Sequence, residues 1–451
     1  MNAKKKNWTF KLFLLVLILL VILLVTLALI GPRRMLGLFH KKIPALPAPT
    51  AIPLTVPTST TTVQPTPTEE TLPPTSAPET ATPALAVMPT RIIPPAEQIN
   101  LPPGFAISIF VQDLRDPRMM ALGPDDHLYV AERDAGRIVR LPDRGGQGDP
   151  SGQDDRRGDG VADGVEVVAD GMNAPSSIAF YKDGSLYVGE TTRVLRLSMP
   201  DERGVFQKRE VIVDGLPAGG HSTRTVLFSP DWSTLFVSVG SSCNVCIEED
   251  ERRATIVRYD PDGSGERVYA RGLRNAVGIT FCPGTAELWA TNNGRDWLGD
   301  DQPPETVYFV QEGIDAGWPT CHSGRIVDPD YGSPSACDGV LAPAVEMQAH
   351  SAPLGLTFYA GQQFPEEYRG DLFVAFHGSW NRTVPTGYKI VRIPMRDGAG
   401  PGPVQDFATG WLRADGSNWG RPVDVLTAAD GSLFVSDDSG GIIYRISYAG
   451  G

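Results

Sequence analysis

No long segment with a 3.6-residue apolar period separates the strand-like runs of this 451-residue chain, which disfavours a parallel α/β fold. A basic excess is missing too. The net charge is −13, and the first 42 residues hold eight Lys or Arg and no acid, which leaves −21 for the remainder. A nucleic-acid groove needs a basic surface, so that class of partner is excluded. Cysteine is scarce, at five residues. Cys243 and Cys246 form a Cys-x-x-Cys unit, but Ile247 follows where covalent haem attachment requires His, which argues against a c-type haem.

What is present divides the chain. Residues 1–11 are basic, and Leu12 to Ile30 is an uncharged run in which only Thr26 is polar. Its length matches the roughly 20 residues that a helix needs to cross a bilayer. A signal-peptide core is shorter, and Gly31-Pro32-Arg33-Arg34 follows in place of a small-residue cleavage site, so an uncleaved signal anchor is expected. Lys and Arg flank both ends of the span, so charge bias does not orient it. Residues 31–97 form a linker with no charge from Ile43 to Thr68 and with abundant Pro and Thr. Such a stalk cannot bury enough apolar surface to fold, and it favours a single-pass cell-membrane protein whose C-terminal part, residues 98–451, is extracytoplasmic.

That C-terminal part repeats itself. An apolar strand, a Pro/Asp/Gly turn and a strand such as Leu-Tyr-Val or Leu-Phe-Val recur at Met119–Val130, Ser177–Val188, Thr223–Val237, Ala276–Ala290, Leu354–Val374 and Val423–Val435. Short strands at this spacing predict blades around a channel, an all-β, six-bladed β-propeller. Phe105–Val111 has no hairpin of its own and is expected to supply the outer strand of the last blade. The starts of the inner strands carry Arg118, Ser177, His221, Arg274 with Asn275, His350 with Ser351, and Arg421. In a propeller these positions converge at one mouth. Cationic groups gathered there predict an anionic ligand, with His221 as a base.

Three further features concern metals and thiols. Asp155, Asp159, Asp163 and Glu166 fall at positions 1, 5, 9 and 12 of a calcium-loop spacing, although Arg157 stands where an oxygen ligand belongs. That is a possible structural calcium site, or else a solvated acidic turn. Cys321 and Cys337 flank a Gly/Pro-rich loop, and with Cys243 and Cys246 they could form two disulfides, which suits an oxidising exterior. Cys282 reads as a buried free thiol. A zinc site built from these cysteines and His322 stays open.

Gly219-Gly-His-Ser-Thr, Gly272-Leu-Arg-Asn-Ala-Val-Gly-Ile and His377-Gly-Ser-Trp-Asn-Arg382 resemble the soluble quinoprotein sugar dehydrogenases, specifically their sorbosone dehydrogenase-like branch. The resemblance spans Leu101 to Tyr448. It implies pyrroloquinoline quinone (PQQ), a calcium ion at the channel mouth, and oxidation of an aldose or sorbosone-like sugar. It also implies a separate electron acceptor, a quinone or a cytochrome. By that resemblance His221 is the general base and Arg274 stabilises charge on the reduced cofactor. Arg274, Asn275, Asn293, His377, Arg382 and Arg421 would contact the cofactor, and Gly294 and Arg295 would offer backbone carbonyls to calcium. The chain departs from the family where Arg295 replaces a usual Pro, where Val423 replaces a second arginine, and where the His377 region replaces a lysine.

Two other functions fit a propeller of this kind. A calcium-dependent lactonase or other hydrolase would hold its metal with carboxylates and amides at the inner-strand starts, which here favour Arg and His. A non-catalytic surface-binding propeller would tolerate loss of His221.

Overall fold

The structure is a computed structural model and describes residues 98–143, 159–396 and 400–450. The expected span, the linker up to residue 97 and Asp155 lie outside the described residues. Among the described residues six four-stranded antiparallel sheets follow one another around a ring. Blade 1 holds Pro117–Leu122, Leu128–Glu132, Arg137–Leu141 and Glu166–Ala169; blade 2 holds Ser177–Phe180, Leu186–Gly189, Val194–Pro200 and Phe206–Val213. Blade 3 holds Val226–Phe228, Leu235–Val239, Thr255–Tyr259 and Arg267–Arg271; blade 4 holds Ile279–Phe281, Leu288–Asn292, Glu305–Val310 and Val345–Met347. Blade 5 holds Pro353–Phe358, Leu372–Phe376, Lys389–Ile393 and Gln405–Ala408. Blade 6 holds Pro422–Thr427, Leu433–Asp437 and Ile442–Tyr448, and Phe105–Val111 pairs with that last strand from Phe105 opposite Tyr448 to Val111 opposite Ile443. The N-terminal strand thus closes the ring on the C-terminal one, as its lack of a hairpin predicts.

Burial explains the sequence pattern. The second strand of every blade is buried along its length, because its two faces pack against the blades on either side. It therefore reads as an apolar run, while outer strands such as Phe105–Val111 and Phe206–Val213 keep partial alternation. Each Leu or Val buried there contributes about 1.5–3 kcal/mol.

The stretch Asn293–Ala352 supplies the third and fourth strands of blade 4 and a small hairpin, Cys321–His322 with Ile326–Val327. The structure revises three sequence expectations. Four of the five cysteines are consumed by disulfides Cys243–Cys246 and Cys321–Cys337, so of the set offered for zinc only Cys282 keeps a thiol, and His322 bonds Asp328 at 2.9 Å. Cys282 is free but only partly buried, because it sits one residue beyond its strand. Glu166 lies on the outer strand of blade 1, its carboxylate 2.8 Å from Arg140 Nε, and so is engaged outside any loop. Asp159 accepts from Val161 N at 3.0 Å, and Asp163 N donates to Pro142 O at 2.8 Å.

Met119, Val277, Leu354 and Val423 share one buried cluster. Blades 1 and 4 stand opposite each other in a ring of six, so a cluster that joins them crosses the axis and plugs the channel. Val423, fully buried there, is apolar because it belongs to this plug.

Candidate active site

An antiparallel hairpin puts the loop before its first strand and the loop after its second strand at the same end. The candidate residues come from these two sets of loops. His221, Asn275, His350 and Arg421 precede the first strands of blades 3, 4, 5 and 6; Ser241, Asn293, Asp296, His377 and Asp438 follow the second strands of those blades. His221 is five residues ahead of its strand and so lies outside the ladder.

A repeated side-chain contact sets the leading loops. The residue at the end of the second strand accepts a backbone N–H from the loop before the first: Glu132 from Arg115 at 2.6 Å, Glu190 from Asn173 at 2.7 Å, Asn292 from Asn275 at 3.1 Å, and Asp437 from Arg421 at 2.8 Å. The equivalent positions in blades 3 and 5 are Val239 and Phe376, which cannot accept. Blade 3 uses a different device. Arg224, fully buried, donates to Pro217 O at 2.6 Å and to His221 O and Thr223 O at 2.8 Å each, wrapping the loop around its guanidinium. Gly220 and Gly240 permit the close approach: a Cβ on Gly220 would lie 2.5 Å from Ser241 O, and one on Gly240 would lie 2.6 Å from both His221 Cβ and Asn275 Oδ1.

The orientation of His221 follows from its partners. Nδ1 lies 3.1 Å from Ser241 O and 3.0 Å from Ser241 Oγ, and that hydroxyl donates its own hydrogen to Cys243 O at 2.7 Å. Both oxygens can therefore only accept, which assigns the ring proton to Nδ1 and leaves the Nε2 lone pair without a partner among the described residues. Burial first, and then the positive charge of Arg274, push the imidazole down to about 4. It is a neutral acceptor at physiological pH.

Arg274, which is 5% exposed, has a full set of acceptors. Nε donates to Asn244 O at 2.9 Å, Nη2 to Asn244 Oδ1 and Asp296 Oδ2 at 3.0 Å each, and Nη1 to Gly294 O at 2.6 Å. Burial lowers its pKa, opposed by the carboxylates of Asp296 and Glu305. Glu305, almost wholly buried, accepts from Gly294 N at 2.7 Å and Ala352 N at 3.3 Å, and burial pushes it up to about 7. Asp296 also accepts from Asn381 Nδ2 at 2.8 Å, and His350 Nδ1 is 4.0 Å from the same oxygen.

The other expected residues divide between this cluster and a second one. Asn293 Nδ2 donates to Pro353 O at 2.6 Å. The Arg295 side chain turns away to a buried ion pair with Asp328. Arg382 reaches Asp301 at 2.9 Å on the rim. His377 Nε2 lies 2.8 Å from Asp438 Oδ2, and the same carboxylate takes Arg118 Nη1. Arg421 donates to His377 O at 3.1 Å and Gly378 O at 3.2 Å, so His377 meets Arg421 through its backbone. The imidazole of His377 is spent on Asp438, and burial holds it down at about 4.

Ser241, Asn244, Asp296, Glu305 and Asp438 escape a reading that follows only the first strands of the repeat. The signal that finds several of them is the tail of the second strand, where Leu-aromatic-Val runs are followed by Glu, Asp or Asn and then by a polar loop. Two exposed tryptophans complete the rim. Trp297, at φ +71°, and Trp380 meet edge to face with centroids 5.1 Å apart.

Comparison with known proteins agrees with this architecture. The TrAA12-like family model matches residues 99–312 and 331–449. A pyrroloquinoline quinone-dependent pyranose dehydrogenase of Coprinopsis cinerea is 26% identical over 424 residues, covering 79% of this chain and 56% of the relative. The chain thus spans little more than half the length of that relative. The holo form of the Coprinopsis cinerea pyranose dehydrogenase PQQ domain superposes with a TM-score of 0.65 at 23% identity, over 78% of this chain and 97% of that one. A calcium structure of a Trichoderma reesei carbohydrate-active enzyme of family AA12 gives 0.65 at 21% identity, with the same coverage. These two likenesses establish the propeller fold.

Proposed function

The chain belongs to the TrAA12-like family, and from that premise we propose that it is a PQQ-dependent dehydrogenase that oxidises a pyranose or related aldose. The observation that carries this reading is His221, whose Nε2 lone pair is open while Ser241 holds the Nδ1 proton. A sugar hydroxyl placed at Nε2 can give up its proton to a positioned neutral base.

The donor set of the mouth fits an anionic quinone. PQQ is a tricarboxylate, and Arg118, Arg274 and Arg421 approach from three blades. Nη1 of Arg421 has no partner among the described residues, and Nε of Arg118 is buried without one. Guanidinium groups of this kind recognise carboxylates. When bound, PQQ supplies the two-electron acceptor for the hydride that leaves the sugar carbon. His221 Nε2 takes the hydroxyl proton, and Arg274 contributes a fixed positive charge that costs no reorganisation during reaction. An anionic ligand beside Arg274 also offsets the charge that disfavours the imidazolium, which raises the basicity of His221 where the proton must be held. The exposed Trp297 and Trp380 rings offer an apolar face for a sugar ring, next to Asp296 and Asn381.

Calcium belongs to the same proposal, with the main-chain oxygens of Gly294 and Arg295 as its ligands and Asp296 as a nearby anion. The fit requires one movement. Arg274 Nη1 donates to Gly294 O, and a guanidinium and a dication do not share one oxygen, so Arg274 must release it. We also propose that Leu12–Ile30 anchors the chain, that the propeller is extracytoplasmic, and that a separate quinone or cytochrome reoxidises the cofactor. The two disulfides suit that compartment.

The test is reconstitution of the full chain with PQQ and calcium, followed by dye reduction with pyranoses, other aldoses and sorbosone. Turnover that falls about 10²–10⁴-fold in His221→Gln supports the assignment. Absence of PQQ binding in a spectroscopic titration sinks the cofactor reading, and lactone hydrolysis in place of dye reduction returns the hydrolase.

A further inference from the structure

The base and the arginine of the site are tied to one another by a short ring of chain. Cys243-Asn244-Val245-Cys246 is closed by a disulfide between residues three apart. Asn244, inside that ring, engages both of its neighbours in the site. Its Oδ1 accepts from Arg274 Nη2 at 3.0 Å and from Asp296 N at 2.7 Å, and its Nδ2 donates to Asp296 O at 3.1 Å. Its main-chain oxygen accepts from Arg274 Nε at 2.9 Å and from Trp318 Nε1 at 3.2 Å. The amide orientation is determined by this set, since a flipped carboxamide would face two donors with an NH₂. The residue before it, Cys243, accepts the Ser241 hydroxyl at 2.7 Å, the bond that makes Ser241 Oγ an acceptor for His221.

The lengths of these contacts decide what the ring does. Arg274 is nine-tenths or more buried and holds its charge away from water, so displacing the Asn244 oxygens that accept from Nε and Nη2 leaves its donors short of partners. An open four-residue loop at this partly exposed position would sample many conformations. Closing it with a disulfide removes most of that freedom before any ligand arrives, and preorganisation of this kind lowers the cost of reaching the reactive geometry.

We propose that the Cys243–Cys246 ring is the positioning element of this site and that Asn244 is its positioning residue, holding Arg274 and Asp296 in place while Cys243 O holds Ser241 against His221. The catalytic meaning of the positioning rests on the dehydrogenase reading above, whereas the positioning itself does not. Neither Asn244 nor the disulfide touches the reacting atoms.

Three variants of the full chain test it, Asn244→Leu, Asn244→Asp and the double variant Cys243→Ala/Cys246→Ala. Two measurements are made on each. The first is backbone hydrogen exchange by mass spectrometry without cofactor, over the peptides that carry residues 272–278 and 293–299. Asn244→Leu and the double variant are expected to speed exchange there by about tenfold or more, the scale of a lost hydrogen bond to a charged group, with the second strands of the blades still protected. The second measurement is turnover with PQQ and a pyranose. kcat is expected to fall about tenfold or more in both, with KM for the sugar little changed, and Asn244→Asp, which keeps the acceptor for Arg274 and Asp296 N but loses the donor to Asp296 O, recovers part of it. A merely structural residue would not show rescue by Asp. The proposal is overturned if exchange in those two segments is unchanged in both disruptive variants, or if Asn244→Asp is as impaired as Asn244→Leu. Faster exchange in the variants with no turnover in the wild type counts against the PQQ reading and leaves the positioning role supported.

Discussion

Replacing His221 by Gln should change how stability depends on pH, and the size of the change follows from the site. The imidazole lies at about 4, against an ordinary value of 6.5. That gap is worth about 3 kcal/mol at 1.36 kcal/mol per tenfold change in acidity. Burial is the larger cause and the Arg274 charge the next. Because the folded value is depressed, the unfolded chain binds a proton between pH 6.5 and 4 that the folded chain refuses. The contribution is therefore complete above 6.5 and is lost as pH falls towards 4. His377, also held at about 4, behaves the same way in both proteins and cancels in the comparison. Chemical denaturation of the full chain at pH 7, 5.5 and 4.5 should show His221→Gln gaining on the wild type as the pH drops, by up to about 3 kcal/mol. Gln retains an N–H for Ser241 O, so the two should differ much less at pH 7. Parallel curves across the range would refute the argument, since they require an imidazole that titrates normally and is neither buried nor beside Arg274.

Other residues give separate tests. Asp424, which accepts from Met120 N at 2.9 Å, is pushed up by burial to about 7 from 3.8. Its ionisation therefore costs the folded state progressively between those values, and Asp424→Asn should be more stable than the wild type by about 4 kcal/mol at pH 8 relative to pH 4, read from denaturation midpoints. Arg295→Met removes the guanidinium from the buried carboxylate of Asp328, which keeps His322 and the backbone N–H groups of Asp330 and Tyr331, and should cost about 1–3 kcal/mol in the same assay. Trp297→Ala and Trp380→Ala should each raise KM for a pyranose about 3–10-fold with kcat little affected, because an exposed ring can stack on substrate but does not reach the base; a fall in kcat at constant KM would remove these rings from substrate binding.

The architecture was legible because a propeller writes itself into the chain as a repeat. Each blade needs one fully buried strand, so Leu-Tyr-Val and Leu-Phe-Val recur, and the unpaired strand Phe105–Val111 announced the closure of the ring. Both disulfides could be guessed from spacing, and His221, Arg274 and Arg421 stood out as cations and a base at equivalent repeat positions. What the pattern of first strands could not show is where the second strands end. Asp296, Asp438 and Ser241 enter the mouth from those ends, and only pairing in three dimensions brings residue 241 to residue 221 and residue 296 to residue 274.

The sequence by itself determined the number of blades, the way the ring closes and the polar character of the mouth, because burial on both faces of a strand and the turns between strands are local demands that recur in order. The tertiary structure alone decided the state of each group in the mouth. A histidine's tautomer, a guanidinium's acceptors and a carboxyl's protonation depend on atoms tens of residues away in the chain, and those partners are set by the packing of neighbouring blades. The Cys-x-x-Cys unit illustrates the division. Its spacing speaks against haem and permits a disulfide, but only the folded ring places Asn244 between Arg274 and Asp296.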